Sequence, residues 1–375
     1  MLHAMAGRIV LFGATGYTGR LTARALVERG AEPLLAARSE QPLRTLAKEL
    51  GGLPTQTADV NVPDTVAALV GPGDVLVSTV GPFVRWGTPA VEAALAKGAH
   101  YIDSTGEGQF IRRVFEQWGP RAVAAGVGLL TAFGYDFVPG NLAGGLALRE
   151  AGPSATRLQI AYFAPGGGRP ADVSGGTRAS AAGAMIEPGF TWRGGRIVTE
   201  RGGARVKRFA VEPGSEIAAV SIAASEAFAL PRLALGLREL DTYLGFGRAS
   251  YAMAAVSAAS SALLALPGAR PLARRVVARS VRTSTGGPDE RLRAASGSLV
   301  LARAFDDAGE LLASVRLSGV NVYTFTASIL AWGAMTTLEG GLQGTGALGP
   351  CDAFGLDALE QGAAQAGIAA AAPPV

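Results

Sequence analysis

Residues 13–19 read GATGYTG and directly follow an apolar run. Glycines at this spacing permit a tight turn at Gly13, close approach of the backbone to an anion at Gly16, and close packing of a following helix at Gly19. The amides that open such a helix favour a pyrophosphate. The segment predicts a dinucleotide-binding turn, with contacts from Gly13, Ala14, Thr15, Gly16, Tyr17, Thr18 and Gly19.

The type of dinucleotide is indicated about 20 residues further on, where an NAD-binding chain usually places an acid at the end of its second strand. This sequence instead reads AARS, with Arg38 and Ser39. A guanidinium suits a 2′-phosphate through its charge and its forked hydrogen bonds, so we expect NADP(H). If Arg38 is only a solvated surface charge, either cofactor would serve.

Further cofactor contacts are expected at the carboxyl ends of two later strands, because ligands of parallel sheets bind there. Asp59 and Val60 are predicted to lie beside the adenine. The segment STVGP is predicted to line the nicotinamide side, through Ser78, Thr79, Val80, Gly81 and Pro82.

Hydride transfer also needs a proton donor for the atom that gains negative charge. Three groups of residues could supply it: Tyr101, Asp103 and Glu107; Tyr135 and Asp136; and Tyr323 and Thr326. We expect Tyr135 or Asp136 to face the nicotinamide. Glu107 is a further catalytic candidate because the glycines on either side would let a backbone approach a ligand.

Structural alternatives remain open for each of these candidates. Asp103 could cap the turn after its strand, and Tyr135 could be a core ring with a satisfied hydroxyl. Asp136 could brace the junction of two lobes, and Glu107 could be solvated.

The elements that would position these residues alternate between strand and helix. Apolar runs predict strands at 8–12, 33–37, 55–58, 74–79, 100–103 and 127–131, with helices at 20–29, 41–50, 63–70, 88–97 and 110–125 between them. This alternation predicts an α/β fold with an N-terminal Rossmann-type, doubly wound parallel sheet.

After about residue 139 the pattern changes to a second, α+β lobe. Strands are predicted at 158–163, 206–211, 218–223, 299–305 and 311–317, with a hairpin around Asp306, Asp307 and Gly309 and helices at 323–337 and 357–366. We expect an NADP-binding domain over 1–138 plus about 340–375, and a substrate or dimerisation domain over 139–339.

Composition excludes several classes of protein. The hydrophobic fraction of 49% and charged fraction of 17% indicate a globular chain, and 375 residues suit two lobes. The formal charge of +4 is scattered, so we expect no nucleic-acid partner. One cysteine and two distant histidines cannot form an internal disulfide or a His/Cys metal cluster, so no metal is expected. The N-terminal pattern is not that of a signal peptide, so we expect a cytoplasmic location.

Residues 249–269 carry no charge and precede five arginines, at positions 270, 274, 275, 279 and 282. Their length is that of a membrane span, but their Ala- and Ser-rich composition favours a buried or lipid-surface helix. Peripheral membrane contact through 249–282 is therefore a further expectation.

Several segments together resemble the saccharopine dehydrogenase-like oxidoreductases, in particular the bacterial branch that includes the trans-acting enoyl reductases. They are GATGYTG, LLAARS, residues 78–107, FGYDFVPGNLAG at 133–144, SGGTRAS at 174–180, VYTFTA at 322–327 and AFGLDAL at 353–359. The resemblance implies an NADP-binding lobe, a mixed α/β substrate lobe inserted before a C-terminal helix, and a homodimer.

The activity expected from these features is NADPH-dependent hydride transfer to a C=C, C=N or C=O bond of a lipid- or polyketide-like or carrier-bound intermediate. One alternative is an amino-acid dehydrogenase like saccharopine reductase, although no dedicated pair of basic residues is obvious. A pocket lined by two or more arginines would support that alternative. Another is a non-catalytic NADP-binding scaffold protein.

Overall fold

The computed structural model describes residues 7–166, 188–264 and 286–371. The chain divides into two compact units. The first contains the residues up to Thr105, Phe110–Asp136 and Tyr323–Gly367. The second contains Gly106–Gln109, the described residues from Phe137 to Val322, and those from Ile368 onward. The return to the first unit thus begins at Tyr323, earlier in the chain than the boundary near residue 340 expected from the sequence.

The strands of the described residues are β1 Ile9–Phe12, β2 Leu34–Ala37, β3 Thr55–Thr57, β4 Val75–Ser78, β5 His100–Asp103, β6 Gly128–Leu130, β7 Arg157–Phe163, β8 Gly189–Arg193, β9 Arg196–Glu200, β10 Val206–Glu212, β11 Ser215–Ile222, β12 Glu239–Gly245, β13 Ser298–Phe305, β14 Leu311–Gly319, β15 Gly346–Ala347 and β16 Ile368–Ala370.

The α-helices of the same residues are α1 Tyr17–Glu28, α2 Glu40–Glu49, α3 Pro63–Ala67, α4 Phe83–Trp86, α5 Thr88–Lys97, α6 Gly108–Arg113, α7 Gly119–Ala125, α8 Val138–Ala151, α9 Glu226–Ala229, α10 Ala249–Leu264, α11 Glu290–Ala294, α12 Val322–Leu338, α13 Pro350–Phe354 and α14 Leu356–Gln365. A π-helical turn at Val114–Trp118 joins α6 to α7, and short 3-10 turns occupy Gly152–Ser154 and Leu230–Arg232.

The first unit is built on a seven-stranded parallel sheet in the order β15-β6-β5-β4-β1-β2-β3. The four residues of each of β1, β2 and β4 are buried, which explains why these strands read as unbroken apolar runs. The doubly wound α/β fold predicted from the sequence is confirmed. Strand β15 is the seventh strand, and the sequence did not predict it because two residues are too few to show the alternation of apolar and polar residues typical of a strand.

The second unit is built on a mixed sheet in the order β10-β11-β12-β7-β13-β14-β16, and the hairpin β8-β9 joins it beside β12. Helix α8 packs against β7, β13 and β14. The predicted hairpin is confirmed, because β13 and β14 pair antiparallel on either side of the Asp306–Gly309 turn.

Helix α8 and the central strand β12 were not predicted. Residues Val138 to Leu148 of α8 are all buried, so the helix shows no amphipathic period, and its glycines weaken the helical signal further. Those glycines permit close packing: a Cβ on Gly140 would lie 1.9 Å from the Tyr162 hydroxyl oxygen, and one on Gly144 would lie 2.4 Å from a Leu230 methyl carbon.

Helix α10 forms the first part of the uncharged segment, and Tyr251, Met253 and Val256 on it are exposed. Within the described ranges, we find no helix whose length and apolar character would let it cross a bilayer. Residues 265–285, with the five arginines, and the SGGTRAS segment at 174–180 lie outside the described residues. Membrane contact through 249–282 stays a prediction.

Candidate functional site

The glycine-rich turn begins at the carboxyl end of β1, where Gly13 has a φ of +89°. The amides of Gly13 and Ala14 both donate to the carbonyl oxygen of Ala36 in β2, at 2.8 and 3.1 Å. A side chain at position 13 would have no room, because its Cβ would lie 2.7 Å from Thr79 Oγ1. Position 13 therefore requires glycine for two reasons, the positive φ and the closeness of the Thr79 side chain.

Thr79 fastens this turn to the end of β4. Its amide donates to the Phe12 carbonyl oxygen at 2.9 Å, and its hydroxyl lies 3.2 Å from the carbonyl oxygens of both Phe12 and Gly13. Strand β1 has β2 on one side and β4 on the other, so the direction in which strands are added reverses here. Sheets of this type bind ligands at such a switch point.

The other two glycines of the motif have different surroundings. A Cβ on Gly16 would meet only the Gly13 carbonyl oxygen, at 3.2 Å, so this position is otherwise open. A Cβ on Gly19 would lie 2.2 Å from the same oxygen and 2.9 Å from Ala14 Cα. Gly19 therefore lets the first turn of α1 pack against the glycine-rich turn itself.

Helix α1 begins at Tyr17, and its N-cap residue is Gly16, which has no side chain to cap the helix amides. The first amides of a helix have no partner within the helix and attract negative charge. Together with the open position at Gly16, this geometry fits a pyrophosphate.

The residues expected to recognise the adenosine half lie at the ends of β2 and β3. Arg38 and Ser39 are exposed, and Arg38 forms no ion pair with a described residue. Asp59 accepts hydrogen bonds from the amide and the side chain of Asn61, at 2.9 and 2.8 Å, in the turn before α3. Val60 is partly exposed beside it.

Of the segment expected on the nicotinamide side, Ser78 is fully buried, whereas the next four residues, Thr79 to Pro82, are partly exposed. Ser78 is aligned with Phe12 in β1 and with Asp103 in β5. The last residues of β1, β4 and β5 are therefore aligned with one another, and the predicted contact residues that follow β1 and β4 lie at the same edge of the sheet.

Asp103 serves the structure of this edge. Its fully buried carboxylate accepts hydrogen bonds from the amides of Thr105 and Ala132, at 2.8 and 3.0 Å, and from the Thr131 hydroxyl at 2.9 Å. Burial nevertheless raises the pKa of Asp103 to about 6. The prediction that Asp103 could cap the turn after β5 is confirmed, and the same carboxylate also joins β5 to the end of β6.

The chain after β6 takes an unusual backbone conformation before the second candidate group. Ala132 has a φ of +58°, a region that residues with a Cβ seldom occupy, and its amide is held by Asp103. Such strain persists where the surroundings enforce it, often near functional sites. Here it leads the chain into Tyr135 and Asp136.

Helix α12 contributes to the same edge. The Tyr323 ring meets the Tyr17 ring edge-on at 5.2 Å, and the Thr326 hydroxyl accepts a hydrogen bond from the Tyr135 amide at 3.0 Å. Arg29, directly after α1, donates to the Ser328 hydroxyl of α12 at 2.6 Å. The structure therefore unites the second and third candidate groups, which the sequence assigned to different lobes.

Tyr135 and Asp136 differ in how free they are to react. Tyr135 is buried, and its ring packs edge-on against Phe325 at 6.5 Å. Asp136 is partly exposed, and its carboxyl has no hydrogen bond or ion pair with any residue in the described ranges. Loss of hydration raises the pKa of Asp136 to about 6, so it holds a proton well above the usual range of an aspartate.

Glu107 is buried and belongs to the short Gly106–Gln109 stretch of the second unit. Its neighbour Gly108 packs closely, since a Cβ there would lie 2.9 Å from the Ala223 Cβ. Its assignment as a catalytic residue stays a prediction.

The parallel sheet, its switch point and the glycine-rich turn before α1 define the first unit as a Rossmann-type dinucleotide-binding domain. Residues 9–126 match the family described as the saccharopine dehydrogenase NADP binding domain. The predicted cofactor, NADP(H), is confirmed by this match.

Two relatives and one solved structure extend the comparison. The chain is 41% identical over 140 residues to the trans-acting enoyl reductase of Mycobacterium leprae (strain TN) and 38% identical over 140 residues to that of Mycobacterium ulcerans (strain Agy99). Each match covers 36% of this chain and 34% of the relative, so it spans about a third of the relatives' length.

The solved structure is the apo saccharopine dehydrogenase (L-Glu forming) of Saccharomyces cerevisiae. It aligns with a TM-score of 0.59 at 12% identity, over 95% of this chain and 96% of the yeast chain. At that identity the similarity concerns the fold alone. The chain has the saccharopine dehydrogenase fold.

Proposed function

We propose that this chain is an NADPH-dependent oxidoreductase that reduces a C=C, C=N or C=O bond of a lipid- or polyketide-like or carrier-bound intermediate. The observation that carries the proposal is the glycine-rich turn at the switch point of an NADP-binding domain, together with Asp136 at the carboxyl edge of the same sheet, an acid that no described residue pairs with. The names of the relatives favour a C=C bond as the substrate group.

In this proposal the glycine-rich turn and the amides of α1 hold the pyrophosphate, while Arg38 and Ser39 hold the 2′-phosphate. Asp59 and Val60 lie beside the adenine, and residues 78–82 line the nicotinamide side. Bound NADPH supplies the hydride.

The proton would come from Asp136. A pKa of about 6 keeps part of its population protonated near neutral pH, which suits a general acid. Tyr135 is fixed by Thr326 and Phe325 and would orient the substrate rather than transfer a proton. Glu107 is the further candidate.

The first test addresses the cofactor. Titration of the purified protein with NADPH and NADH, followed by nicotinamide fluorescence, should give tighter binding of NADPH. Arg38→Gln should weaken NADPH binding about tenfold or more and leave NADH binding unchanged, because one charge-assisted contact to a phosphate is lost. The control is Arg24→Gln, which removes a different exposed arginine, one that lies on α1. Equal losses for both cofactors in the Arg38 variant would contradict the assignment.

The second test addresses the reaction. NADPH oxidation is followed at its absorbance maximum with a trans-2-enoyl thioester, a cyclic imine, a ketone and saccharopine-type imine precursors as substrates. Turnover of the enoyl thioester supports the proposal, whereas preference for the amino-acid imine would indicate a saccharopine reductase-like enzyme. Tight NADPH binding without turnover of any substrate would favour a scaffold protein.

A further inference from the structure

The sheet of the second unit curls so that its first and sixth strands approach each other. Arg316 of β14 donates from Nη1 to the Val211 carbonyl oxygen of β10 at 2.6 Å, although four strands separate the two in the sheet order. The face enclosed by this curl, called the inner face below, lies opposite α8.

One end of the inner face is an ordinary apolar core. Phe209 of β10 contacts Phe163 of β7 and Tyr243 of β12, with ring centres 6.1 and 5.2 Å apart. The cluster is completed by Ala161, Val211, Ala219, Leu299 and Leu301. This end is closed by packing.

The other end carries three cations, Arg157, Lys207 and Arg303, called the cationic cluster below. Gln159 is aligned with Arg303, and it accepts a hydrogen bond from Lys207 Nζ at 2.5 Å. The Arg157 guanidinium and Lys207 Nζ both lie over the Phe305 ring, at 4.7 and 5.9 Å. All three cations are half-buried.

No carboxylate of the described residues forms an ion pair with the cluster, although the charge of Asp241 favours the protonated form of Lys207. Asp241 forms ion pairs with Arg193 and Arg205, and Arg205 also holds Glu200. Glu239, which is aligned with Arg157 in β12, is exposed and forms no ion pair with it.

Neither Arg157 nor Arg303 forms an ion pair with any residue in the described part of the chain, and Arg157 Nε is buried without a hydrogen-bond acceptor. Burial, together with the charges of Arg157 and Arg303, lowers the pKa of Lys207. Like charges gathered in a partly desolvated place destabilise the fold unless an anion joins them. Two guanidinium forks and one ammonium, all half-buried, supply the kind of donors that the oxygens of a phosphate group accept from.

We propose that the cationic cluster of the second unit, Arg157, Lys207 and Arg303, is a binding site for a phosphate group, separate from the cofactor site of the first unit. The Phe305 ring holds two of the cations in place from beneath. The group is carried by inorganic phosphate, by a soluble phosphate monoester or by a lipid headgroup, and the same three side chains would bind any of them.

The test measures binding of inorganic phosphate by calorimetry and by thermal unfolding at constant ionic strength. We expect a Kd of about 1 mM or lower for the wild-type protein and a loss of about tenfold or more in Arg303→Gln. Arg303→Lys should retain most of the binding. Arg208→Gln is the matched control, because Arg208 is the next residue of β10 after Lys207, is exposed and pairs with Glu216.

A second readout separates a binding role from a structural one. Because Arg303→Gln removes like-charge repulsion, it should raise the unfolding temperature in the absence of phosphate and abolish the further rise that phosphate causes. A lower unfolding temperature without phosphate would mean that Arg303 supports the fold, and would overturn the proposal. So would undiminished phosphate binding by this variant.

Three further ligands complete the experiment. Glycerol phosphate and phosphatidylcholine vesicles containing phosphatidylglycerol distinguish a soluble monoester from a lipid headgroup. Binding of either by the wild-type protein but not by Arg303→Gln supports the proposal. Acetate that binds as tightly as phosphate would refute selectivity for a phosphate. A parallel loss of NADPH affinity in Arg303→Gln would assign the cluster to the cofactor site and refute a separate one.

Discussion

Replacing Asp136 with Asn removes a carboxyl group whose ionised form the folded protein disfavours. Loss of hydration moves its pKa from 3.8 to about 6, a difference of about two units. Each unit corresponds to about 1.4 kcal/mol, so ionisation of Asp136 lowers the free energy of unfolding by up to about 3 kcal/mol at neutral pH. Partial contact with water makes this an upper value.

The direction of the pH effect follows from the raised pKa. The folded state binds this proton more tightly than the unfolded state, so the stabilisation by the protonated form is complete below pH 3.8 and is lost as the pH rises to about 6. Asp136→Asn cannot ionise. We expect it to match the wild-type protein at about pH 4 and to be more stable by up to about 3 kcal/mol above pH 6, while NADPH-dependent turnover is lost.

The assay is urea unfolding followed by tryptophan fluorescence over this pH range, with turnover measured on the same preparations. Glu49→Gln, an exposed acid of the first unit, is the control, and Asp103 contributes equally to the wild-type and variant curves. Equal stabilities of Asp136→Asn and the wild-type protein at about pH 8 would refute the reasoning about the pKa. Full turnover in the variant would refute the role as proton donor.

Three further predictions concern the same edge of the sheet. Gly19→Ala should lower the free energy of unfolding by about 1–3 kcal/mol, because its Cβ would lie 2.2 Å from the Gly13 carbonyl oxygen, whereas Gly16→Ala should change stability by less than about 1 kcal/mol. Both should weaken NADPH binding in a fluorescence titration, and a fully stable Gly19→Ala would contradict the packing argument. Asp103→Ala should cost about 2 kcal/mol or more in urea unfolding at neutral pH, since three buried donors lose their acceptor; an unchanged midpoint would argue against it. Wild-type turnover should fall as the pH rises above about 6, where Asp136 loses its proton, and a rate that climbs through this range would exclude an aspartic acid donor.

Much of the first unit could be predicted from the sequence because its signals are local. Strands buried on both faces must be apolar, so β1, β2 and β4 stand out as short runs between polar helices. The turn at Gly13 needs a positive φ, which glycine supplies, and this places the motif in a strand-turn-helix unit. The segment after β4 is predicted by the rule that ligands bind at the carboxyl ends of parallel strands, and Arg38 by the position where an NAD-binding chain places an acid; both stay predictions.

Elements without a local period could not be predicted in this way. Helix α8 is buried on all sides, so its sequence lacks a polar face, and β15 is only two residues long. Contacts between distant residues have no sequence signal at all. The hydrogen bond from Tyr135 to Thr326 joins residues 191 positions apart, and the curl of the second sheet depends on Arg316 meeting Val211.

The sequence by itself determined the strand-turn-helix unit, since that unit depends on backbone angles and burial within a short stretch. Only the tertiary structure decided which of two candidate aspartates has a hydrogen-bond partner among the described residues. Asp103 and Asp136 are both aspartates following predicted strands, and both have a pKa of about 6. Three groups donate hydrogen bonds to the carboxylate of Asp103, whereas no described residue forms a hydrogen bond with the carboxyl of Asp136. That difference arises from which distant atoms folding brings within hydrogen-bond distance.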